Sequence, residues 1–301
     1  MFHSLPDKIS GAIFILISAF LYATLAINVK YAYLAGLTPD TALLLRYFSA
    51  FLILFIYLRL FKKQPVLNLS PMVIIQGIVL ITGGIAFFYS LSYLPAGIAA
   101  VILFSHPALV AVSTLVVFKE KFSPRLFLGV FLAIAGILLI SGLTDSFMDI
   151  SIKGISWAVL ASICYTVYSL ISQVSVNKVP PFTLTSTFSL VGVILIAITF
   201  HDFSFFYSLN WLQFIIGLSL ALLNTILSVG FFLKGVQKIG ASRASLLSIT
   251  EPVFTLLIAF VLLNEVLAFW EVIGSVMVLL SSCLAVSTPK KEPIADKIDV
   301  T

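Results

Sequence analysis

The chain has 301 residues, of which 61% are hydrophobic and 10% are charged. A soluble domain averages about 45–50% apolar and about 25% charged residues, so this composition excludes an ordinary soluble protein. The net charge of +5 does not indicate a nucleic-acid partner, because the lysines and arginines lie between apolar segments. Those segments are about 20 residues long and recur along the chain, which predicts a helical protein that crosses the lipid bilayer many times.

Ten apolar segments are long enough to be predicted as membrane-spanning helices. Short connections separate them, and the polar tail at 288–301 is predicted to be disordered and cytoplasmic. The predicted spans are 10–33, 41–61, 71–93, 96–118, 124–142, 152–174, 181–200, 210–233, 241–263 and 269–288.

Lysine and arginine residues predict how the chain is oriented in the membrane. With the N-terminus inside, fourteen of these residues fall on the inner side of the membrane. Only Lys30 and Lys153 fall on the outer side, while Arg46 lies within a span. The distribution predicts that both termini are cytoplasmic and that the protein lies in an inner or plasma membrane.

A unit of five spans occurs twice in the chain. At a constant shift of 145 positions, Ala96 falls on Ala241 and Gly129 falls on Gly274. Because five is an odd number, the second copy enters the membrane upside down. Inverted repeats of this kind are typical of secondary transporters, in which two halves meet around a site at the membrane midplane. The alternative is a duplicated membrane protein that does not transport.

Each copy of the repeat has an ionisable residue directly before a proline in the middle of a span. His106 precedes Pro107 in the fourth span, and Glu251 precedes Pro252 in the ninth. Both residues are predicted to lie about 15 Å deep, near the midplane. Each proline removes a backbone donor, so a carbonyl one turn earlier is expected to face a cavity.

Glu251 is the candidate residue for binding a substrate amine or a coupling proton, because ionisable groups at this depth mark functional sites by default. His106 is a weaker candidate of the same kind. For both residues the alternative is a structural hydrogen bond to a neighbouring helix. Proton coupling through Glu251 is a hypothesis that the sequence does not settle.

Further polar and aromatic residues are candidates for the wall of a solute cavity. Arg46 in the second span would either bind a substrate carboxylate or extend to the outer interface. The other candidates are Tyr22 and Tyr165 at equivalent repeat positions, together with Tyr89, Trp157, Asn224 and Asn28. The sequence has no HExxH or CxxC motif and no GxxxxGK[ST] motif, so we expect neither a metal site nor a nucleotide or other cofactor.

Glycines in the fifth and tenth spans predict close helix packing, because small residues let helix backbones approach each other in lipid. Their partner is expected to be a neighbouring helix or a second copy of the chain, as in a homodimer. The residues concerned are Gly129, Gly136 and Gly274.

Three segments carry a resemblance to a known family. The second span contains LLLRYFSAFLIL, the fourth HPALVAVSTLVVFKE and the ninth EPVFTLLIAFVLLNE. Together with the ten spans in two halves, they resemble the EamA family of the drug/metabolite transporter superfamily over residues 10–142 and 152–287. The resemblance implies an all-α integral membrane protein with two inverted five-helix repeats. It also implies export of amino acids or related metabolites.

We therefore predict a secondary-active transporter of a small polar or amphipathic metabolite, which works by alternating access between its two halves. Two alternatives come from other classes of protein. One is an intramembrane enzyme with His106 or Glu251 as an acid–base group, and the other is a subunit that anchors a complex in the membrane. Polar side chains of spans one, four, six and nine that meet at one central position would favour transport.

Overall fold

The computed structural model describes residues 6–91, 93–94, 96–119, 123–141, 151–199, 209–263 and 268–287. Over these ranges the protein consists of helices and the turns between them, without a strand. The predicted tail at 288–301 lies outside the described residues, as do Glu120 and Glu265, the acids that close the fourth and ninth predicted spans.

Fourteen α-helices are described, and most of them begin or end within a few residues of a predicted span. They are α1 (Asp7–Ala23), α2 (Leu25–Leu34), α3 (Pro39–Ile56), α4 (Pro71–Leu91), α5 (Ala96–Leu103), α6 (His106–Val117), α7 (Pro124–Ile140), α8 (Ile152–Ser175), α9 (Pro181–Thr199), α10 (Trp211–Ala221), α11 (Ser228–Ile239), α12 (Ala241–Ser248), α13 (Glu251–Leu263) and α14 (Phe269–Ser287). Two π-helical segments are also present, Tyr57–Lys62 after α3 and Leu222–Leu227 between α10 and α11.

Within the described ranges, seven helical stretches are long and apolar enough to cross a membrane. Two further apolar helices, Pro124–Ile140 and Phe269–Ala285, are shorter. The ninth predicted span, 241–263, belongs to neither group; its first half carries Arg243 and three serines. The chain is therefore all-helical with at least seven candidate spans, and the count of ten remains a prediction.

The two halves make the same helix contacts with their roles exchanged. α4 packs against α8, and the equivalent contact joins α11 to α1. Likewise, α3 contacts α10 just as α9 contacts α4. Two further contacts join equivalent helices of the two halves, α3 with α9 and α7 with α14. This exchange is the pattern expected of two repeated units that face each other.

The glycines of the fifth and tenth spans lie where α7 crosses α14. A Cβ atom at Gly136 would stand 2.7 Å from the carbonyl oxygen of Gly274, and a Cβ at Gly274 would stand 2.5 Å from that of Gly136. Only glycine permits the two backbones to approach so closely. The neighbour of these glycines is thus a helix of the same chain, and a homodimer remains a prediction.

Three helical features were not predicted from the sequence. The first span is broken at Thr24, where α1 ends and α2 begins. A π-helical segment interrupts the eighth span, and such segments are frequent at functional sites. The eighth span also continues to Ile239, six residues beyond its predicted end, so Lys234 lies within a helix and not in a connection.

Candidate functional site

The fourth and ninth spans are both interrupted directly before their prolines. α5 ends at Leu103 and α6 begins at His106, whereas α12 ends at Ser248 and α13 begins at Glu251. The two turns between them occupy equivalent positions of the repeat. Each ionisable residue therefore begins a new helix in the interior of the bundle.

The ring of His106 satisfies the carbonyl that Pro107 leaves without a donor. Its Nδ1 lies 3.1 Å from the backbone oxygen of Leu103, and the side chain is buried. Because a carbonyl only accepts hydrogen bonds, Nδ1 carries the proton and a neutral ring leaves Nε2 as the acceptor. The expectation that this carbonyl is free to face a cavity is therefore wrong, because the His106 ring is its hydrogen-bond partner.

A hydroxyl bond at equivalent positions is common to both breaks. In the fourth span, Ser105 Oγ donates to the carbonyl oxygen of Ile102 over 2.7 Å. Thr250 Oγ1 donates to the carbonyl oxygen of Leu247 over 2.8 Å. Unlike His106, Glu251 makes no bond to a carbonyl of the break, and its half-buried carboxyl group has no hydrogen-bond or ion-pair partner in the described part of the chain.

Two tyrosines connect Glu251 with the second span. Tyr22 of α1 and Tyr165 of α8 are half-buried, and each lies within electrostatic range of both Glu251 and Arg46. The ring of Tyr165 also lies 5.9 Å from the ring of His106, centroid to centroid. Polar side chains of spans one, four, six and nine thus meet in one region of the interior.

Arg46 is buried inside the bundle and does not extend to the outer interface. Its side chain is 8% exposed. Nε donates to Thr225 Oγ1 and Nη2 donates to the carbonyl oxygen of Asn224, both over 2.7 Å. Tyr47 lies beneath the guanidinium, 5.2 Å from Cζ to ring centroid. Since these partners are neutral, the positive charge has no counter-ion among the described residues.

Asn224 joins the eighth span to the break in the first. Its Nδ2 donates to the carbonyl oxygen of Leu21 over 2.7 Å and to Thr24 Oγ1 over 3.0 Å. Its Oδ1 accepts from Asn28 Nδ2 over 2.8 Å. We call Thr24, Asn28, Arg46, Asn224 and Thr225 the polar network. It forms a connected wall between α1, α2, α3 and the π-helical segment.

The polar network depends on two of the unpredicted helical features, the break at Thr24 and the π-helical segment in the eighth span. At the break, the carbonyl of Leu21 accepts from Thr24 Oγ1 and from Asn224 Nδ2, and the π-helical turn carries Asn224 and Thr225. Sequence reasoning selected Asn28, Arg46 and Asn224 but missed Thr24, Thr225 and the neighbouring Tyr47. The only sequence signal for the last two was their position next to a selected residue.

Tyr89 and Trp157 form a separate pair away from this region. Their rings stack with centroids 5.2 Å apart, and Tyr89 is 52% exposed. The structure therefore brings six of the eight predicted binding residues together and leaves these two at the ends of α4 and α8. No group of three or more potential metal ligands occurs within the described ranges.

Comparison with known proteins identifies the family. The profile of the EamA-like transporter family matches residues 9–142 and 152–287. An uncharacterised transporter from Bacillus subtilis, YyaM, is 27% identical over 77% of this chain and 78% of its own length. The threonine/homoserine exporter RhtA of Salmonella typhimurium is 24% identical over 71% of this chain and 70% of its own.

A solved structure supports the same fold. The crystal structure of a protein that is 19% identical superposes with a TM-score of 0.76, over 92% of this chain and 97% of that one. At this identity the likeness concerns the fold alone. The two matched ranges of the family profile together cover most of the sequence, and the relatives named above are transporters. The chain is a multi-pass integral membrane protein that belongs to the EamA-like transporter family.

Proposed function

We propose that this protein is a secondary-active transporter of a small zwitterionic, amino-acid-like metabolite. The observation that carries the proposal is that a basic and an acidic side chain, Arg46 and Glu251, lie in the interior and that neither has an ionic partner among the described residues. An unpaired charge in a membrane interior is costly. A zwitterion would neutralise both, with its carboxylate at Arg46 and its ammonium group at Glu251.

The remaining residues of the region fit the same solute. Tyr22 and Tyr165 lie within electrostatic range of both Arg46 and Glu251, and their hydroxyl groups would bind a polar side chain of the solute. His106 presents Nε2 as an acceptor next to Tyr165. The polar network fixes the guanidinium of Arg46 through Asn224 and Thr225, so the carboxylate would meet a preorganised donor.

The transport cycle would consist of alternating access between ten spans in two inverted halves, with both termini cytoplasmic. Two equivalent glycine contacts are suited to close the opposite ends of the pathway. A Cβ at Gly11 would stand 2.6 Å from Ile239, and a Cβ at Gly154 would stand 2.6 Å from Leu94. Leu94 and Ile239 are equivalent at the shift of 145 positions, and Gly11 and Gly154 are equivalent at a shift of 143. Opening one contact while the other stays closed would expose the site to one side only.

Export is the favoured direction, because one relative is a threonine/homoserine exporter. Coupling to protons through Glu251 would supply the driving force, with the carboxylate alternating between a proton and the substrate ammonium group. Both points rest on the proposed site.

The proposal is tested with purified protein in vesicles and a panel of labelled amino acids that begins with threonine and homoserine. We expect flux of at least one of them, accelerated by a pH gradient and reduced at least about tenfold in Glu251→Gln. Flux that is the same in empty vesicles would contradict the assignment as an amino-acid transporter. Unchanged flux and pH dependence in the variant would contradict the role of Glu251.

A further inference from the structure

Lys234 lies in α11 between three phenylalanine rings. Its Nζ is 4.7 Å from the ring centroid of Phe182 and 5.5 Å from those of Phe14 and Phe231. These rings come from α9, α1 and α11 itself. The side chain is half-buried, so a positive charge is held at the edge of the helix bundle against apolar surface.

A second lysine shares this aromatic surface. Lys62 ends the π-helical segment after α3, and its Nζ lies 5.9 Å from the ring centroid of Tyr57. Tyr57 in turn meets Phe182 edge to face, with centroids 6.1 Å apart. The two ammonium groups lie within electrostatic range of each other. We call Lys62, Lys234, Tyr57 and Phe182 the lysine–aromatic cluster.

A carboxylate beside the two lysines would offset the repulsion between them. In the described part of the chain, neither Lys62 nor Lys234 has one within salt-bridge distance. The neighbouring Lys238, in contrast, pairs with Asp7. The lysine–aromatic cluster therefore carries two positive charges that repel each other and that an anion would neutralise.

The repeat shows that helix packing does not require the charge. Lys234 is equivalent to Tyr89 at the shift of 145 positions, and Phe14 is equivalent to Trp157 at the shift of 143 that relates the first and sixth spans. Tyr89 stacks on Trp157 just as Lys234 lies over Phe14. An aromatic residue thus packs at the equivalent position of the other half, so the packing there does not need a lysine. What Lys234 adds is a positive charge.

We propose that the lysine–aromatic cluster binds the phosphate group of an anionic phospholipid. Basic pockets between transmembrane helices are suited to lipid head groups. Lys62 ends the second membrane helix, where the chain reaches the head-group region, and Lys234 can extend its ammonium group in the same direction. Phe14 and Phe182 then offer apolar surface to the acyl chains. A water-soluble phosphate would gain nothing from those rings.

Native mass spectrometry of the purified full chain tests the proposal, with phosphatidylglycerol and phosphatidylcholine as competing probes. We expect the wild type to retain phosphatidylglycerol over phosphatidylcholine by about tenfold, because each lysine near an anionic head group contributes to the attraction. The double variant Lys62→Gln/Lys234→Gln should reduce the preference to within about twofold. Lys234→Arg should preserve it.

Lys178→Gln is the matched control, because Lys178 is an exposed lysine that follows α8 outside the cluster. It should keep the preference of the wild type. If the double variant does not fold, Lys62→Gln alone changes an exposed side chain and should reduce the preference about threefold. An equal preference in all variants would overturn the proposal. Displacement of phosphatidylglycerol by about 10 mM inorganic phosphate would also overturn it, in favour of a soluble anion.

Discussion

The contact between α1 and α11 and the contact between α8 and α4 occupy equivalent places in the two halves, but their chemistry differs. In the first, Gly11 lies against Lys238 and Ile239; in the second, Gly154 lies against Tyr93 and Leu94. The helix crossing is thus repeated at equivalent positions. The backbone contact is repeated, but its side chains are not. The helix crossing therefore belongs to both halves, while each of the two contacts is held by its own side-chain interactions.

Those interactions are of two kinds. Asp7 pairs with Lys238 at the first contact. At the second, Lys153 Nζ lies 4.8 Å from the ring centroid of Tyr93. In the interior the divergence is larger, because Asn224 corresponds to Val79 and Asn28 corresponds to Ile171. The polar network therefore exists once, which would hold an asymmetric solute in one orientation.

The largest effects are expected from overpacking each of the two glycine contacts in turn. Gly11→Val and Gly154→Val each place a side chain where a Cβ would stand only 2.6 Å from a neighbouring side-chain atom. We expect both to reduce flux to below about one tenth of wild type, because overpacking prevents closure. Hydrogen exchange should rise only at 233–239 in the first variant and only at 85–94 in the second.

Gly84→Val is the control for both glycine variants, since a Cβ at Gly84 meets nothing within 4 Å. Its flux should stay within about twofold of wild type. Increased exchange at both contacts in either variant, or unaltered flux in both, would show that the two contacts are not separate closures.

Asn224→Val tests the difference between the two interiors. It gives the eighth span the residue that the third span has at the equivalent position, Val79. The change removes the donor to Leu21 and Thr24 and leaves Asn28 without its acceptor. We expect a loss of about 1–2 kcal/mol in the free energy of unfolding, as for buried hydrogen bonds in membrane proteins. Thermal unfolding in detergent measures it. Asn177→Ala, which removes an exposed bond, should cost less than about 0.5 kcal/mol.

The two proline breaks differ in a way that a double-mutant cycle can isolate. His106→Leu removes the donor to the Leu103 carbonyl and should cost about 1 kcal/mol in the free energy of unfolding. Pro107→Ala restores a backbone N–H for that carbonyl, so the double variant should be more stable than the sum of the single changes predicts. Strict additivity in the denaturation measurements would contradict this role of the histidine.

The smallest effect is expected at the ion pair of the first contact. Asp7 is 78% exposed on its side chain, so Asp7→Asn should lower the free energy of unfolding by less than about 0.5 kcal/mol, and less in high salt. A larger loss that persists in high salt would show that the pair, and not Gly11, holds the contact.

Much of the fold could be predicted because hydrophobicity and repetition are both visible in the sequence. Apolar runs placed most helix ends within a few residues, and the 145-residue shift related His106 to Glu251 before any contact was known. The break at Thr24 could not be predicted, because the apolar run continues through it. The π-helical turn at Leu222–Leu227 has no hydrophobic signature either.

Candidate site residues were selected where the residue type is rare in a membrane span and missed where the residue type is common. A charged residue in an apolar run is conspicuous, which is why Arg46 and Glu251 were found. Whether Arg46 turns inward depended on acceptors contributed by Asn224 and Thr225, nearly 180 residues away in the sequence. Threonines are frequent in membrane helices, so Thr24 and Thr225 carried no signal of their own.

The most direct test of the zwitterion site combines three solutes with two variants in reconstituted vesicles. Threonine is compared with 1-amino-2-propanol, which lacks its carboxylate, and with 3-hydroxybutyrate, which lacks its amine. Arg46→Gln should lose the preference for threonine over 1-amino-2-propanol alone, and Glu251→Gln should lose the preference over 3-hydroxybutyrate alone. If both variants lose the two preferences equally, or neither variant loses one, Arg46 and Glu251 do not hold the two ends of the solute.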